Sequence, residues 1–119
     1  MSGTAQLHGR PLQVTLSRAA ERRLRESGEP LLVELELYFS CLIRKRVRFH
    51  PGLTHPDAAA LGDGLSVRFR PVMTRACGLD YEGEEPPLTD FPLERPERFV
   101  PHWVTIDWRG GAWHGEYGY

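Results

Sequence analysis

The stretch that decides the fold is residues 31–49, LLVELELYFSCLIRKRVRF. Apolar side chains occupy the odd positions from 31 to 39, whereas Glu34 and Glu36 occupy even positions. This alternation is typical of a β-strand with one buried face. The same parity continues in the second half of the stretch, where even positions carry arginine: Arg44, Arg46 and Arg48.

The two halves of this stretch can pair with each other. If the chain folds back at Cys41, the numbers of facing residues sum to 82. Glu36 then faces Arg46 and Glu34 faces Arg48, so ion pairs form on one face while apolar pairs form on the other. The connection lacks the Gly or Asn of a tight turn. The sequence therefore predicts a β-hairpin with either a wider turn or a bulge near Cys41.

A short helix is predicted over residues 18–26, before this hairpin. Thr15 or Ser17 can accept hydrogen bonds from the free amide groups of the first turn. Gly28, followed by Pro30, ends the helix.

The rest of the chain is predicted to form short strands and loops. Further strands are predicted at residues 12–14 and 65–70, and a C-terminal hairpin at 103–108 and 112–117. The other predicted segments are a flexible tail at 1–11, one helical turn at 57–61 and an acidic, proline-rich surface loop at 78–101. The fold class predicted is α+β, mostly β: a small mixed or antiparallel sheet sandwich with one short N-terminal helix and a C-terminal hairpin. Residues 12–119 are expected to form a single domain.

Composition predicts a soluble, cytoplasmic protein without a membrane segment. The chain has 119 residues, two cysteines and a net charge of −1. It contains neither an apolar run of membrane-spanning length nor the N-terminal pattern of a signal peptide. Residues 1–75 carry 12 basic and 7 acidic side chains, and residues 76–119 carry 3 and 9, so the halves can neutralise each other. A net charge this small argues against general attraction to nucleic acid.

Three residues are the candidates for a metal site: Cys41, Cys77 and His114. A zinc site needs three or four converging N or S ligands, and these residues show no known ligand spacing. A cysteine nucleophile would instead need a histidine base and an oxyanion site. Two distant cysteines are typical of free thiols in a reducing compartment. The sequence therefore favours no bound cofactor and leaves a metal, an iron–sulphur cluster or a reactive thiol as alternatives.

Arginines and tryptophans are the candidates for a binding surface: Arg44, Arg46, Arg48, Trp103, Trp108 and Trp113. A row of arginines on a strand can grip phosphates, but glutamates predicted on the same face favour an ion-paired, solvated surface. The tryptophans can stack on a sugar or a base, whereas their place in a short hairpin favours a role in the core.

Residues 14–20, VTLSRAA, resemble the opening of the A-type iron–sulphur cluster carriers, in which a short strand leads into a helix. In that family the next strand ends at a cluster-binding cysteine, and a returning strand follows. The resemblance assigns residues 31–40 to that strand, Cys41 to that cysteine and residues 42–49 to the returning strand.

Two later segments extend the resemblance over residues 12–81: GLSV at 64–67 and LDY at 79–81. The chain departs from the family in two ways. Its cysteine lies in Ser-Cys-Leu-Ile rather than a glycine-rich turn, and the C-terminal C-G-C pair is absent. Cys77 has no counterpart in the family pattern. Because a cluster needs several thiolates, the resemblance implies a retained fold without ordinary cluster carriage.

The sequence thus favours a small non-enzymatic binding, regulatory or accessory protein that acts through protein partners. One alternative is a thiol-dependent enzyme or a metal-binding protein that uses Cys41 or Cys77. Another is nucleic-acid binding through the face of Arg44, Arg46 and Arg48. The sequence does not determine an oligomeric state.

Overall fold

The computed structural model describes residues 2–39, 43–62, 64–74, 88–90 and 95–119. In chain order, the elements within these residues are β1 (Ser2–Leu7), β2 (Arg10–Leu16), α1 (Arg18–Ser27), β3 (Leu31–Phe39), β4 (Ile43–Pro51), β5 (Ala59–Leu61), β6 (Leu65–Thr74), β7 (Leu88–Asp90), a 3₁₀ turn (Pro96–Arg98), β8 (Trp103–Arg109) and β9 (Ala112–Gly118). The protein is α+β and mostly β, as the sequence predicts.

The first sheet has the strand order β1-β2-β8-β9. Strand β2 pairs antiparallel with β1 and parallel with β8, while β8 and β9 form the predicted C-terminal hairpin. Strand β1 corrects the prediction of a flexible tail, because its side chains Ala5 and Leu7 are buried. Two inward apolar side chains make too short a pattern to indicate a strand from sequence.

The second sheet has the order β4-β3-β6-β5, with β7 beside β6. Strands β3 and β4 pair antiparallel in the predicted register, so Glu34 lies opposite Arg48 and Glu36 opposite Arg46. The predicted pairing is therefore confirmed, while its connection at residues 40–42 lies outside the described residues. On its other side β3 pairs in parallel with β6.

The core lies between the two sheets. Strand β3 contributes its odd-numbered side chains, which are almost completely buried: Leu31, Val33, Leu35 and Leu37. Inward side chains of β2, β6 and β8 meet them from both sheets. Tyr117 on β9 crosses the core, and its hydroxyl donates to the backbone carbonyl of Glu36. Burial raises the pKa of the Tyr117 phenol, so the group stays a donor.

Helix α1 begins at the predicted residue and ends at Ser27, one residue later than predicted. The Ser17 hydroxyl accepts a hydrogen bond from the Ala20 amide at 3.1 Å, which makes Ser17 the N-cap. Gly28 follows the helix with φ of 65°, the left-handed conformation that glycine adopts without strain. Ala20 is fully buried and anchors the helix on the core.

Two other segments differ from their predictions or lie partly outside the structure. Residues 59–61 form the strand β5, which pairs with β6, rather than part of a helical turn. The described parts of the predicted loop at 78–101 include β7 and the 3₁₀ turn. No helix in the described ranges has the length and apolar character needed to cross a membrane.

Candidate functional site

The outer face of the second sheet carries a cluster of charged side chains. Side chains alternate along a strand, so the even-numbered residues of β3, β4 and β6 point away from the core. We call the following set the charged face: Glu34, Glu36, Arg44, Arg46, Arg48, His50, Arg68 and Arg70. Two carboxylates on the central strand are thus flanked by basic side chains on both neighbouring strands.

Glu36 is the centre of the charged face, and its side chain is completely buried. Arg48 donates through Nε to Oε1, and Arg70 donates through Nη1 to Oε2 at 3.3 Å. The Tyr38 hydroxyl lies 3.4 Å from the same Oε1. A buried carboxylate is stable only when it is paired and hydrogen-bonded, and both oxygens of Glu36 meet this condition.

Glu34 lies two residues before Glu36 on the same face of β3 and has a similar arrangement of partners. Its side chain is only 8% exposed, and its two oxygens contact His50 Nε2 and Arg68 Nη1, the latter at 2.9 Å. The Nε atom of Arg68 is buried and has no hydrogen-bond partner among the described residues. Each glutamate therefore holds basic side chains from both flanking strands.

The ion pairs to β4 run diagonally across the ladder. Arg48 lies opposite Glu34 in the register but contacts Glu36, and His50 lies opposite Leu32 but contacts Glu34. Neighbours at a diagonal position are within reach of long side chains. Sequence reasoning found the register and missed His50, although its even number places it in line with the three arginines of β4.

Arginines outnumber glutamates among the described residues of the charged face. The set contains five arginines and two glutamates, whereas the whole chain carries a net charge of −1. Arg44 and Arg46 are exposed. An exposed guanidinium can donate to carboxylate or phosphate oxygens, because it carries five N–H donors. The face can therefore bind carboxylate or phosphate oxygens.

The three candidate tryptophans do not form one surface. Trp108 and Trp113 face each other across the C-terminal hairpin, with ring centroids 5.0 Å apart, and pack against the core. Trp103 lies on the opposite face of the first sheet and is 37% exposed. Trp108 and Trp113 thus have the core role expected for tryptophans in a short hairpin, whereas Trp103 does not. The sequence contains a signal for this difference: Trp103 is odd-numbered and Trp108 even-numbered, so they lie on opposite faces of β8.

A pocket of about 230 Å³ lies beside the Trp108–Trp113 pair, between helix α1 and the tip of the hairpin. Arg23 lies over the Trp108 ring at 4.7 Å, and Glu29 also lines the pocket. Ligand pockets are commonly larger, about 300 to 1,000 Å³. Its opposite charges give no net preference for a charged ligand, so the charged face remains the better candidate.

Of the three candidate metal ligands, only His114 lies within the described residues. His114 is exposed on β9, with its Nε2 atom 3.2 Å from the carbonyl oxygen of Arg109. Cys41 and Cys77 lie outside the described residues. Where the chain is described, no three His, Cys, Asp or Glu side chains are grouped so that they could hold a metal ion.

Asp107 connects the first sheet to the start of helix α1. Its Oδ1 accepts hydrogen bonds from the Ser17 hydroxyl at 2.6 Å and from the Trp108 amide at 2.8 Å. The Ser17 hydrogen bond is the main cause that lowers the pKa of Asp107 below its ordinary value. This link orients the helix cap and was not predicted from the sequence.

Comparison with protein-family models, with curated proteins and with solved structures finds no match for this chain.

Proposed function

We propose that this protein is a non-enzymatic binding protein whose charged face binds an acidic segment of a protein partner. One observation carries the proposal: beside the two buried glutamates and the basic side chains that they hold, Arg44 and Arg46 on β4 are exposed.

The distribution of aromatic side chains favours a protein partner over nucleic acid. Proteins that bind single strands combine basic grooves with aromatic side chains on which bases stack. The described tryptophans lie in the first sheet, away from the charged face. Tyr38 is the aromatic side chain of the described residues that adjoins the arginines, and its hydroxyl contacts Glu36 and Arg48.

Binding of polyglutamate tests this proposal. The double variant Arg44→Glu, Arg46→Glu reverses the two exposed arginines of β4 and is expected to lower the affinity by about tenfold or more. Fluorescence anisotropy of labelled polyglutamate, measured from about 50 to 200 mM salt, gives the affinity and its salt dependence.

The matched control is the double variant Arg22→Glu, Arg25→Glu. It changes the net charge equally, but both residues are exposed on helix α1. Equal losses in both variants would attribute binding to net charge and overturn the proposal. Tighter binding of a single-stranded oligonucleotide at the same salt concentration would assign the face to nucleic acid instead.

As a second candidate, we propose that the chain keeps the fold of the A-type carriers and has lost ordinary cluster carriage. Two features support it: α1 lies between β2 and β3, and β3 and β4 pair as far as Phe39 and Ile43, which lie on either side of Cys41 in the sequence. The test is anaerobic reconstitution with iron and sulphide. A stoichiometric cluster absorbance that Cys41→Ser abolishes would show that cluster binding is retained and would contradict this candidate.

A further inference from the structure

A cavity of about 630 Å³ lies on the outer face of the first sheet, and we call it the β1–β2 cavity. Its polar lining residues are Thr4, Arg10, Gln13, Glu97, Arg98 and His102. Thr4 and Gln13 are paired in the register of β1 and β2. Their neighbours Ala5 and Leu12 are buried, so these two side chains point away from the core. The cavity is therefore separate from the charged face, which lies on the outer face of the second sheet.

Two arginines line the β1–β2 cavity from different parts of the chain. Arg10 is the first residue of β2, and Arg98 is the last residue of the 3₁₀ turn. Both side chains are exposed, and neither makes an ion pair or a side-chain hydrogen bond with any residue that the structure describes. In this respect they differ from the arginines that hold Glu34 and Glu36. Their guanidinium groups, with five donors each, are therefore available to an anion.

The segment that follows Arg98 is anchored to the rest of the fold. Val100, two residues later, is 3% exposed and belongs to the core. The Gln13 amide donates to the His102 carbonyl at 2.9 Å, and the His102 amide donates to the Gly118 carbonyl at 2.8 Å. Backbone hydrogen bonds to β2 and β9 thus fix this wall of the cavity against the first sheet.

We propose that the β1–β2 cavity binds a small phosphorylated polyol of the sugar phosphate class. A phosphate monoester carries a charge of about −1.5 to −2 at pH 7, which two arginines can match. Guanidinium groups also bind phosphate oxygens in pairs. A carboxylate carries a single negative charge and would leave one arginine unmatched. This second site goes beyond the proposed function, because it does not involve the charged face or its acidic partner.

The other polar side chains of the cavity favour a ligand with hydroxyl groups. Thr4 and Gln13 can each donate and accept hydrogen bonds. The Glu97 carboxylate accepts hydrogen bonds and has no ion pair or hydrogen-bond partner for its side chain among the described residues. It suits a ligand hydroxyl and repels a second phosphate group. The volume of the cavity lies in the range of about 300 to 1,000 Å³ that is common for small-molecule pockets.

Isothermal titration calorimetry at about 50 mM salt tests the proposal with four probes: glucose 6-phosphate, glucose, gluconate and inorganic phosphate. Gluconate keeps the hydroxyl groups and carries a carboxylate in place of the phosphate. Glucose 6-phosphate is expected to bind about tenfold or more tightly than each of the others. Chemical-shift changes at the backbone amides of Thr4, Gln13 and His102 then locate the bound ligand.

The double variant Arg10→Gln, Arg98→Gln removes both cations of the cavity. It is expected to weaken the binding of glucose 6-phosphate by about tenfold or more. Because both side chains are exposed, the fold should be retained, and circular dichroism checks this. The matched control, Arg22→Gln, Arg25→Gln, makes the same change in net charge on helix α1 and should bind within about twofold of the parent.

Four results would overturn the proposal. Equal binding of glucose would exclude recognition of the phosphate, and equal binding of gluconate would assign the cavity to carboxylates. Equal binding of inorganic phosphate would exclude recognition of the hydroxyl groups. Equal losses in the two double variants, or no binding of any probe at about 10 mM, would exclude a phosphate site at Arg10 and Arg98. Polyglutamate binding by the Arg10→Gln, Arg98→Gln variant reports on the charged face separately, so the two proposals can fail independently.

Discussion

At the scale of single residues, Glu36 is the side chain of the charged face that depends most on its ion pairs. Its side chain is fully buried, while its partners Arg48 and Arg70 are 22% and 26% exposed. Glu36→Gln removes the charge that both arginines neutralise. The variant is expected to lower the free energy of unfolding by about 3 kcal/mol. Urea unfolding monitored by circular dichroism measures the change.

Glu34→Gln is the matched comparison for this prediction. Glu34 keeps some exposure, and one of its partners is His50 rather than a second arginine. The loss of stability should therefore be smaller than for Glu36→Gln. Equal losses would mean that burial does not distinguish the two carboxylates.

Asp107 makes a pH-dependent contribution to stability. Its pKa is lowered from 3.8 mainly by the Ser17 hydroxyl, so the ionised form is favoured in the folded state. A lowered carboxyl pKa stabilises the fold above the unfolded pKa, and this stabilisation is lost as the pH falls through the folded pKa. Asp107→Asn should thus lower the melting temperature at pH 7, and the deficit should shrink as the pH falls below 3.8.

Glu116→Gln is the control for Asp107→Asn, because it removes an exposed carboxylate from the neighbouring strand. Thermal melts of the parent and both variants at several pH values make the comparison. A deficit for Asp107→Asn that is constant down to low pH would contradict the assigned role of its ionised form.

At the scale of elements, β1 is the strand that the sequence pattern did not indicate. Leu7 is 4% exposed within the core, whereas Gln6 beside it is exposed. Leu7→Ala is expected to lower the free energy of unfolding by about 2–4 kcal/mol. Gln6→Ala should stay within about 0.5 kcal/mol of the parent. Both changes are measured by urea unfolding. If neither substitution changes the free energy of unfolding, the prediction of a flexible tail at residues 1–11 would be favoured instead.

The elements that could be predicted are those whose signals are local. Alternation over residues 31–49 determines the β3–β4 register, because a shift by one residue would expose every apolar side chain. Ser17 and Gly28 are the local signals of the helix ends. The β3–β6 contact could not be predicted, since Glu34 and Arg68 are distant in sequence and parallel pairing leaves no turn signal.

At the scale of the whole molecule, the two sheets meet closely where β9 packs on β4. A Cβ on Gly115 would lie 2.9 Å from Phe49 Cζ and 3.1 Å from the Thr105 carbonyl oxygen. Gly115→Ala is therefore expected to lower the free energy of unfolding by about 1–3 kcal/mol through overpacking. Urea unfolding provides the measurement.

Phe49→Leu removes the ring tip that the new methyl group would meet. In a double-mutant cycle, Gly115→Ala should cost less in the Phe49→Leu background than in the parent. If the losses of stability from the two substitutions are strictly additive, the contact between the methyl group added by Gly115→Ala and the Phe49 ring is not the source of the strain.

The charged face was only partly predictable for a reason that concerns the whole molecule. Sequence parity places Glu34, Glu36 and the arginines of β4 on one face. The reach of Arg48 and His50 to diagonal partners depends on side-chain lengths and strand geometry in the assembled sheet. Burial of Glu36 likewise needs β4 and β6 on both sides of β3, which no local pattern reveals.

The parallel pairing of β2 with β8 has a consequence for biosynthesis. Gln13 pairs with Trp103, so β2 leaves the ribosome about ninety residues before its neighbour. At typical rates of translation this is a delay of roughly 5 to 18 seconds. The hairpin of β3 and β4 can close during that time, while β2 keeps one edge open. A nascent chain stalled before Trp103 is therefore a natural substrate for chaperones that protect unpaired strands.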